Sequence, residues 1–300
     1  MNRAAERILV IYNPSSGVVS KDLATTLIFK RLRRYFNTVS IVNTNSPTHA
    51  REITRQGMEH YDVITAFGGD GTINSVAQAM VGSDKVLGVL PGGSGNGLVR
   101  NLGVPLSWRR ALDVLIHGQD IRIDAGRIND RLFFNVAGLG LDGFISKKFN
   151  EESASRGLLP YIYYAIRGYF EMPDFRVRIT LEDAEFDDQI LLIAFANFRQ
   201  YGGNAVIAPH ASPRDRQLDL CVLNRFRLLK SSVGVQRLFT GHIDKFPFYK
   251  SFRFERVRVR SLSGPIPYTF DGEGGATELS DFEVSVVPSC LRVRTPISSD

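Results

Sequence analysis

The 300-residue sequence is poor in the residues that build disulfide scaffolds, metal centres and membrane spans. Its two cysteines, Cys221 and Cys290, lie far apart and outside any metal-ligand spacing. No apolar run approaches the roughly 20 residues that cross a bilayer. The first run, Ile8–Tyr12, is too short for a secretory signal because Asn-Pro interrupts it. The five histidines form no catalytic grouping. These absences predict a cytoplasmic protein without a disulfide framework.

The composition is typical of a globular protein with an anionic partner. Apolar residues make up 43% of the chain and charged residues 23%, and the formal net charge is +6. Such a charge favours nucleic acid, an anionic membrane or a phosphorylated substrate without choosing among them. Basic and aromatic residues are interleaved in Asn224–Arg260, which suits a surface lying against acidic lipid headgroups. The alternative is that these residues form the solvated faces of strands and a helix.

The pattern of apolar residues changes near residue 124. Before it, four short strands alternate with helical segments, which predicts a mainly parallel sheet. The strands are RILVIY, TVSIV, YDVITAF and VLGVL, and the helices lie near Asp22–Phe36, near His49–His60, from Thr72, and through SWRRALDVLIHG.

Antiparallel β-structure is predicted after a helical interval at Leu158–Glu171. Phe175, Val177, Ile179 and Leu181 alternate with polar residues, as in a strand with one solvated face. In FRFERVRVR the alternation slips by one residue between Phe254 and Val257, which predicts a β-bulge.

A glycine-rich loop, GGDGT, stands between a predicted strand and a predicted helix. Its glycines, Gly68, Gly69 and Gly71, allow the backbone to approach a bulky anion at the carboxyl edge of the sheet. Thr72 can cap the helix or bind a phosphate oxygen. Asp70 is not explained by a turn, because a carboxylate beside a phosphate must hold a cation or accept a proton. This loop predicts a phosphate site.

Two further loops follow strands of the same predicted sheet. One is Gly92–Gly97, and the other is NPSSG at Asn13–Gly17. Neither GGDGT nor Gly92–Gly97 ends in the Gly-Lys-Ser/Thr of a P-loop. Backbone amides, a divalent ion or an arginine must therefore neutralise phosphate charge. Each loop alone could be a plain turn. Three of them after three strands favour one binding crevice.

The motifs NPSSG, GGDGT, PGGSGN and DGE at Asp271–Glu273 together resemble the diacylglycerol kinase catalytic family. That family includes bacterial lipid kinases and the sphingosine and ceramide kinases. The resemblance implies ATP-dependent phosphorylation of a lipid hydroxyl. It also implies an α/β nucleotide-binding domain of phosphofructokinase and NAD kinase type at residues 1–124 plus 289–300. The implied partner domain is an antiparallel β-sandwich for the lipid acceptor at residues 125–288, with the active site in the cleft between the domains.

The resemblance also assigns roles to single residues. Asp70 looks like a ligand of the catalytic metal or a base, and Glu273 looks like the proton acceptor, with Asp271 beside it. Asp215 would form a structural magnesium site with backbone oxygens of Ser212 and Gln217. Nucleotide contacts would fall on Asn13, Thr44, Gly68, Gly69, Asp70, Gly71, Thr72 and Ser94.

Asp271, Asp215 and a further acidic residue, Asp142, each have a structural alternative. The segment around Asp271 could be a hairpin turn, because Asp-Gly is a strong turn signal. Asp215 could cap its own backbone. Asp142, in GLGLDGF, could face the lipid or cap the following helix.

Three departures from the family pattern bear on the acceptor and the metal. Ser94 to Gly97 replace the usual Gly-Thr-x-Asn-Asp and resemble the sphingoid and ceramide kinases more closely. Ser75 replaces a common glutamate, and Arg216 replaces the glycine of Asp-Gly in the magnesium loop.

The expected function is therefore a lipid kinase that uses ATP and Mg²⁺ on diacylglycerol or a related glycerolipid. A sphingoid or ceramide acceptor, a soluble acceptor such as NAD, and an inactive nucleotide- or lipid-binding regulator remain alternatives. The expected partners are ATP, the lipid and a transient anionic membrane surface, with peripheral membrane association. Nucleic acid is not expected, and a homodimer is left open.

Overall fold

A computed structural model describes residues 6–14, 21–152, 158–226 and 231–297. Within its helices and strands, the side chains of residues 21–22, 149–152, 158–162, 231–232 and 273–277 are not described. The chain forms two compact units. The first unit comprises residues 1–123 and 289–300, and the second unit comprises residues 124–288.

Strands and helices alternate through the first unit, and strands dominate the second. In chain order the elements are β1 (Arg7–Tyr12), α1 (Lys21–Leu32), β2 (Thr38–Asn43), α2 (Pro47–His60), β3 (Val63–Gly68), α3 (Asp70–Met80), β4 (Val86–Pro91), α4 (Gly97–Asn101), α5 (Trp108–His117), β5 (Gln119–Ile128), β6 (Arg131–Phe133), β7 (Val136–Gly140), α6 (Leu141–Glu152), α7 (Leu158–Glu171), β8 (Phe175–Thr180), β9 (Glu185–Ile190), β10 (Leu192–Ala196), β11 (Leu218–Leu223), α8 (Ser231–Thr240), β12 (Tyr249–Phe254), β13 (Arg256–Ser261), β14 (Ile266–Phe270), β15 (Glu273–Leu279) and β16 (Asp281–Thr295).

The first unit is a parallel α/β sheet, as the alternating pattern predicts. Its strands run in the order β2-β1-β3-β4, and the last part of β16 pairs parallel with β4. Strands β3 and β4 are buried along their whole length, which explains their continuous apolar runs. Ser46 caps α2 by accepting the His49 N–H at 3.1 Å, so that helix begins two residues before the predicted start.

The second unit is an antiparallel β-sandwich. One sheet has the order β12-β11-β10-β7-β14-β15, and the facing sheet includes β9, β8, β13 and the first part of β16. A single apolar core fills the space between the sheets. Phe175 and Val177 of one sheet, and Ile193 and Leu220 of the other, belong to that core. The sandwich therefore buries one face of each sheet.

The strand pattern is confirmed at β8 and corrected further along the chain. Phe175, Val177 and Ile179 are buried, whereas Leu181 follows the end of β8 and is only half-buried. The predicted β-bulge between Phe254 and Val257 is wrong. Strand β12 pairs with β11 and β13 pairs with β8 and β16, so the chain changes sheets at this point. The alternation slips because the core lies on the opposite side of the chain once the chain has entered the facing sheet.

Ion pairs neutralise much of the basic segment Asn224–Arg260. Arg258 and Arg260 both donate to Asp281, at 2.7 and 3.1 Å. The Arg258 guanidinium holds the pKa of Asp281 below its usual range. Lys250 pairs with Asp188 at 2.8 Å. These contacts favour the alternative that this segment forms solvated faces of strands. Arg227 and Lys230 lie outside the described residues.

Candidate active site

The carboxyl ends of four neighbouring parallel strands meet at one edge of the first unit's sheet. The residues that follow β1, β2, β3 and β4 include Asn13, Thr44 and both glycine loops. Backbone hydrogen bonds join these ends: Thr44 N–H to Tyr12 C=O (2.8 Å), Asn13 N–H to Phe67 C=O (3.0 Å) and Gly92 N–H to Gly68 C=O (2.8 Å). The structure therefore brings the three predicted loops together, although Ser15, Ser16 and Gly17 lie outside the described residues.

The two glycine loops touch through their backbones. A Cβ atom on Gly93 would lie 2.6 Å from the Cα of Gly69, which is closer than real Cβ contacts allow. A Cβ on Gly69 would lie 3.5 Å from the Cα of Gly93, an ordinary contact. The absence of a side chain at Gly93 is what lets the loops approach.

Asp70 holds the second loop against the first. It is the first residue of α3, after the extended Gly69. Its Oδ2 accepts the Asn96 N–H at 2.9 Å, and its Oδ1 accepts the Gly97 N–H at 2.7 Å. Two amide dipoles therefore stabilise this carboxylate. Because each carboxylate oxygen can accept two bonds, both retain capacity for another donor or a cation.

Asn96 completes the brace, a role that the sequence interpretation missed. Its φ of 52° is left-handed, a conformation that asparagine tolerates better than most residues. Its side chain donates to the Gly93 C=O at 2.7 Å and accepts the Gly93 N–H at 3.3 Å. The available signal was an asparagine between two glycines, a typical site for a left-handed residue.

The remaining predicted nucleotide residues differ in their surroundings. The Asn13 side chain donates to the Thr72 hydroxyl at 3.0 Å, which links the first loop to α3. The buried Thr44 hydroxyl donates to the Ser46 C=O at 2.9 Å. Gly71 lies in the first turn of α3, and Ser94 is exposed. Their assignment as nucleotide contacts stays a prediction.

Asp271 and Gly272 form the two-residue turn between β14 and β15, as the hairpin alternative predicted. Their φ values are 50° and 79°, and the flanking strands pair from Phe270 to Glu273. Two positive φ values in a two-residue turn are typical of Asp-Gly hairpins. Glu273 begins β15, but its side chain is among those that the structure does not describe.

The Asp271 carboxylate also accepts hydrogen bonds from two successive backbone N–H groups. Phe134 N–H donates to its Oδ2 at 2.8 Å, and Asn135 N–H donates to its Oδ1 at 2.7 Å. These amides lie between β6 and β7. Asp271 thus ties the hairpin turn to another strand connection of the second unit. Its assignment to the catalytic group stays a prediction.

Asp142 is a buried acid in the second unit. It is the second residue of α6 and is 5% exposed, and its Oδ2 accepts the Tyr201 hydroxyl. Burial raises the pKa of Asp142 to about 7, although the Tyr201 hydrogen bond acts in the opposite direction. Because Asp142 lies inside the helix, it does not occupy the cap position. No local sequence pattern indicates Tyr201 as its partner, because the two residues are 59 positions apart.

The proposed magnesium loop contains a self-capping aspartate. The Asp215 Oδ1 accepts the Gln217 N–H at 3.2 Å, which matches the alternative of a loop residue bonded to its own backbone. Arg216 keeps a left-handed φ of 64°, and its N–H donates to the Asp124 carboxylate at 2.8 Å. The loop therefore retains the conformation that a glycine would favour.

No cluster of three or more acidic, histidine or cysteine residues suited to a metal ion occurs in the part of the chain that the structure describes. Asp215 is one exposed carboxylate, and the other two proposed ligands, at Ser212 and Gln217, are backbone oxygens. Oxygen donors of this kind suit Mg²⁺. The magnesium assignment stays a prediction.

Both units match families in sequence. Residues 7–128 match the diacylglycerol kinase catalytic domain, and residues 135–295 match the YegS C-terminal NAD kinase beta sandwich-like domain. The chain belongs to the diacylglycerol kinase family. It is therefore a lipid kinase by family, which confirms the resemblance and the enzyme class predicted from the motifs.

Relatives of the diacylglycerol kinase family align over nearly the whole chain. A diacylglycerol kinase of Bacillus subtilis (strain 168) is 30% identical over 288 residues, covering 92% of this chain and 93% of the relative. One of Staphylococcus carnosus (strain TM300) is 27% identical over 285 residues, with 92% of each chain covered.

Solved structures agree on the fold. A diacylglycerol kinase structure from Bacillus anthracis str. Sterne superposes with a TM-score of 0.75, at 20% identity and 97% coverage of both chains. An NAD kinase from Archaeoglobus fulgidus in complex with ATP gives a TM-score of 0.55, at 14% identity, covering 96% of this chain and 93% of that chain. The predicted fold, an α/β domain followed by an antiparallel β-sandwich, is confirmed.

Proposed function

We propose that this family member transfers the γ-phosphate of Mg-ATP to a hydroxyl of diacylglycerol or a related glycerolipid. The observation that carries the proposal is the braced pair of glycine loops, in which Asp70 accepts the N–H groups of Asn96 and Gly97. The brace fixes the backbones of the two glycine loops relative to each other. Phosphoryl transfer depends mainly on such positioning and on charge neutralisation.

The nucleotide phosphates are assigned to the segment from Gly68 to Thr72. This segment joins the end of β3 to the first turn of α3, where the backbone N–H groups of a helix N-terminus and the helix dipole favour an anion. No lysine lies in the segment. A cation is therefore needed to offset the phosphate charge.

Asp70 is the residue proposed to hold the magnesium of the nucleotide. Each carboxylate oxygen accepts one backbone N–H and keeps capacity for a cation. When bound, Mg²⁺ would neutralise charge that develops on the transferring phosphoryl group. The two amides keep the Asp70 carboxylate oriented whether or not the cation is present.

Glu273 is the proposed base that accepts the proton of the lipid hydroxyl. It follows the Asp271–Gly272 turn, whose position Asp271 fixes by accepting the Phe134 and Asn135 amides. We therefore assign Asp271 as a positioning residue for the start of β15. In this proposal Asp271 supports Glu273 and does not itself take the proton.

Phosphate transfer from γ-labelled ATP tests the proposal. The acceptors are mixed micelles of diacylglycerol, monoacylglycerol, ceramide, sphingoid base and phosphatidylglycerol, with NAD as a soluble acceptor. Asp70→Asn is the inactive variant, and Asp130→Asn is the matched control because the Asp130 side chain is 87% exposed.

Labelled diacylglycerol with wild type and the control, but not with Asp70→Asn, supports the proposal. Label in ceramide, sphingoid base or NAD would reassign the acceptor, and ATP binding without transfer to any acceptor would favour a regulator.

A further inference from the structure

Helix α7 exposes three large apolar side chains on one face. Tyr163, Ile166 and Phe170 are 59%, 55% and 64% exposed. Their spacing of three and four residues places them in one stripe along the helix. A surface helix ordinarily carries polar residues on such a face. We define these three side chains as the α7 stripe.

The buried face of α7 lies elsewhere on the helix. Tyr164 is 6% exposed. Gly168, four residues later, is so close to α6 that a Cβ atom there would lie 2.6 Å from the side chains of Leu141 and Phe144. The packing demand of the second unit is therefore met by the Tyr164 and Gly168 face. The α7 stripe is surplus to that packing, and an exposed apolar face of this kind indicates an interaction surface.

A bilayer surface is the partner whose chemistry fits the stripe. A lipid kinase acts on a molecule dissolved in the bilayer, so the enzyme must meet that surface. Among the described helices none is long and apolar enough to cross it. Helix α7 has 14 residues, which corresponds to a length of about 21 Å, enough to lie in the plane of the interface. Tyrosine suits the headgroup level, and Ile and Phe suit the depth just below it.

We propose that Tyr163, Ile166 and Phe170 insert into the boundary between the headgroups and acyl chains of a phospholipid bilayer. The inference rests on the proposed function, since the lipid acceptor supplies the reason to meet a membrane. It moves the docking surface away from the basic segment predicted from sequence. In that segment Arg258 and Arg260 already form ion pairs with Asp281, which offset part of their positive charge.

The proposed docking is apolar rather than electrostatic. The charged residues of α7 are Arg167 and Glu171, which pair with each other at 2.6 Å and cancel in net charge. Binding through the stripe should therefore depend on buried apolar area and should respond little to salt.

Co-sedimentation with vesicles of phosphatidylcholine and phosphatidylglycerol tests the proposal on the full chain. The double variant Ile166→Ser/Phe170→Ser removes two members of the stripe. Leu262→Ser is the matched control, since Leu262 is 42% exposed elsewhere in the second unit. We expect the double variant to bind at least about tenfold more weakly, and the control to bind like wild type. Wild-type binding should persist from low salt to about 0.5 M salt.

Two acceptors separate failure of docking from failure of the proposed function. With long-chain diacylglycerol in vesicles the double variant should lose activity, and with a short-chain, water-soluble diacylglycerol it should keep the wild-type rate. If wild type phosphorylates neither acceptor but its vesicle binding still depends on the stripe, the docking surface stands and the acceptor is wrong.

Three results would overturn the docking proposal. They are absence of vesicle binding by wild type, equal binding by wild type and the double variant, and loss of self-association in the double variant with unchanged vesicle binding. The last result would assign the stripe to a second copy of the chain. Circular dichroism checks that the double variant is folded, and Tyr163→Ser replaces it if it is not.

Discussion

Gly97 donates its backbone N–H to the Asp70 carboxylate at 2.7 Å, so a residue of one glycine loop is held by the acidic residue of the other. The loops are 26 and 27 residues apart in sequence at these contacts. An aspartate beside a phosphate site is unfavourable unless its charge is compensated. The Asn96 and Gly97 amides supply part of that compensation and fix the site's shape.

Replacing Asp70 with asparagine should impair both chemistry and loop geometry. Asparagine offers one carbonyl acceptor where the carboxylate serves two amides, so one of the Asn96 and Gly97 N–H groups loses its acceptor. We expect the transfer rate to fall by at least about 100-fold, and hydrogen exchange at these two amides to accelerate. A near-normal rate would remove Asp70 from the mechanism. A lost rate with unchanged exchange would show that the brace does not depend on the second oxygen.

Alanine substitutions at Gly93 and Gly69 should have unequal effects on stability. The added methyl group at position 93 would overlap Gly69, whereas the methyl group at position 69 makes only an ordinary contact with Gly93. Gly93→Ala should lower the free energy of unfolding by about 1–3 kcal/mol, the usual cost of overpacking. Gly69→Ala should change it much less. Thermal and urea unfolding measure both variants, and equal losses would contradict the close approach of the two loops.

Substitutions at Asp271 and Glu273 should have different effects, because we assign Asp271 as a positioning residue and Glu273 as the proton acceptor. Asp271→Asn keeps a residue that tolerates a left-handed φ but offers one acceptor to the Phe134 and Asn135 amides. Its free energy of unfolding should fall by about 1–2 kcal/mol, together with the transfer rate. Glu273→Gln should reduce the rate alone. Unfolding curves and transfer rates measured on the same preparations distinguish the two, and unchanged stability in Asp271→Asn would argue against its structural role.

Asp142 should make stability depend on pH. Its pKa is about 7 in the folded protein, against 3.8 for an ordinary exposed aspartate. Between these values the folded state keeps the proton that the unfolded state has lost, so stability falls as pH rises from about 4 to 7. Asp142→Asn removes this dependence and retains an acceptor for the Tyr201 hydroxyl.

The variant should therefore be equally stable at acidic pH and more stable at pH 8, by an amount on the order of a few kcal/mol. Urea unfolding across this range measures the difference. Asp219 is also buried, with a pKa raised to about 6, but it is present in both proteins and cancels from the comparison. Parallel curves for wild type and variant would contradict a buried, protonated Asp142.

Several features followed from short-range sequence pattern alone. Buried parallel strands need continuous apolar runs, so β3 and β4 could be placed from composition, and the glycine loops could be assigned to their carboxyl ends. The Asp271–Gly272 turn was predictable because two consecutive positive φ values restrict the residues that fit. The change of sheets after Phe254 was not predictable, because a slipped alternation has the same sequence signature as a bulge.

The sequence by itself determined the fold class, the family and the residues gathered at the strand ends, because these depend on periodicity and on motifs within a few residues. The tertiary structure decided which acids are braced, buried or ion-paired. Asp70 accepts the Gly97 N–H, Asp142 accepts the Tyr201 hydroxyl, and Asp281 forms an ion pair with Arg258. Such partners are fixed by how strands and loops pack. The physical reason is that a hydrogen bond or ion pair depends on distance in space, which separation along the chain does not specify.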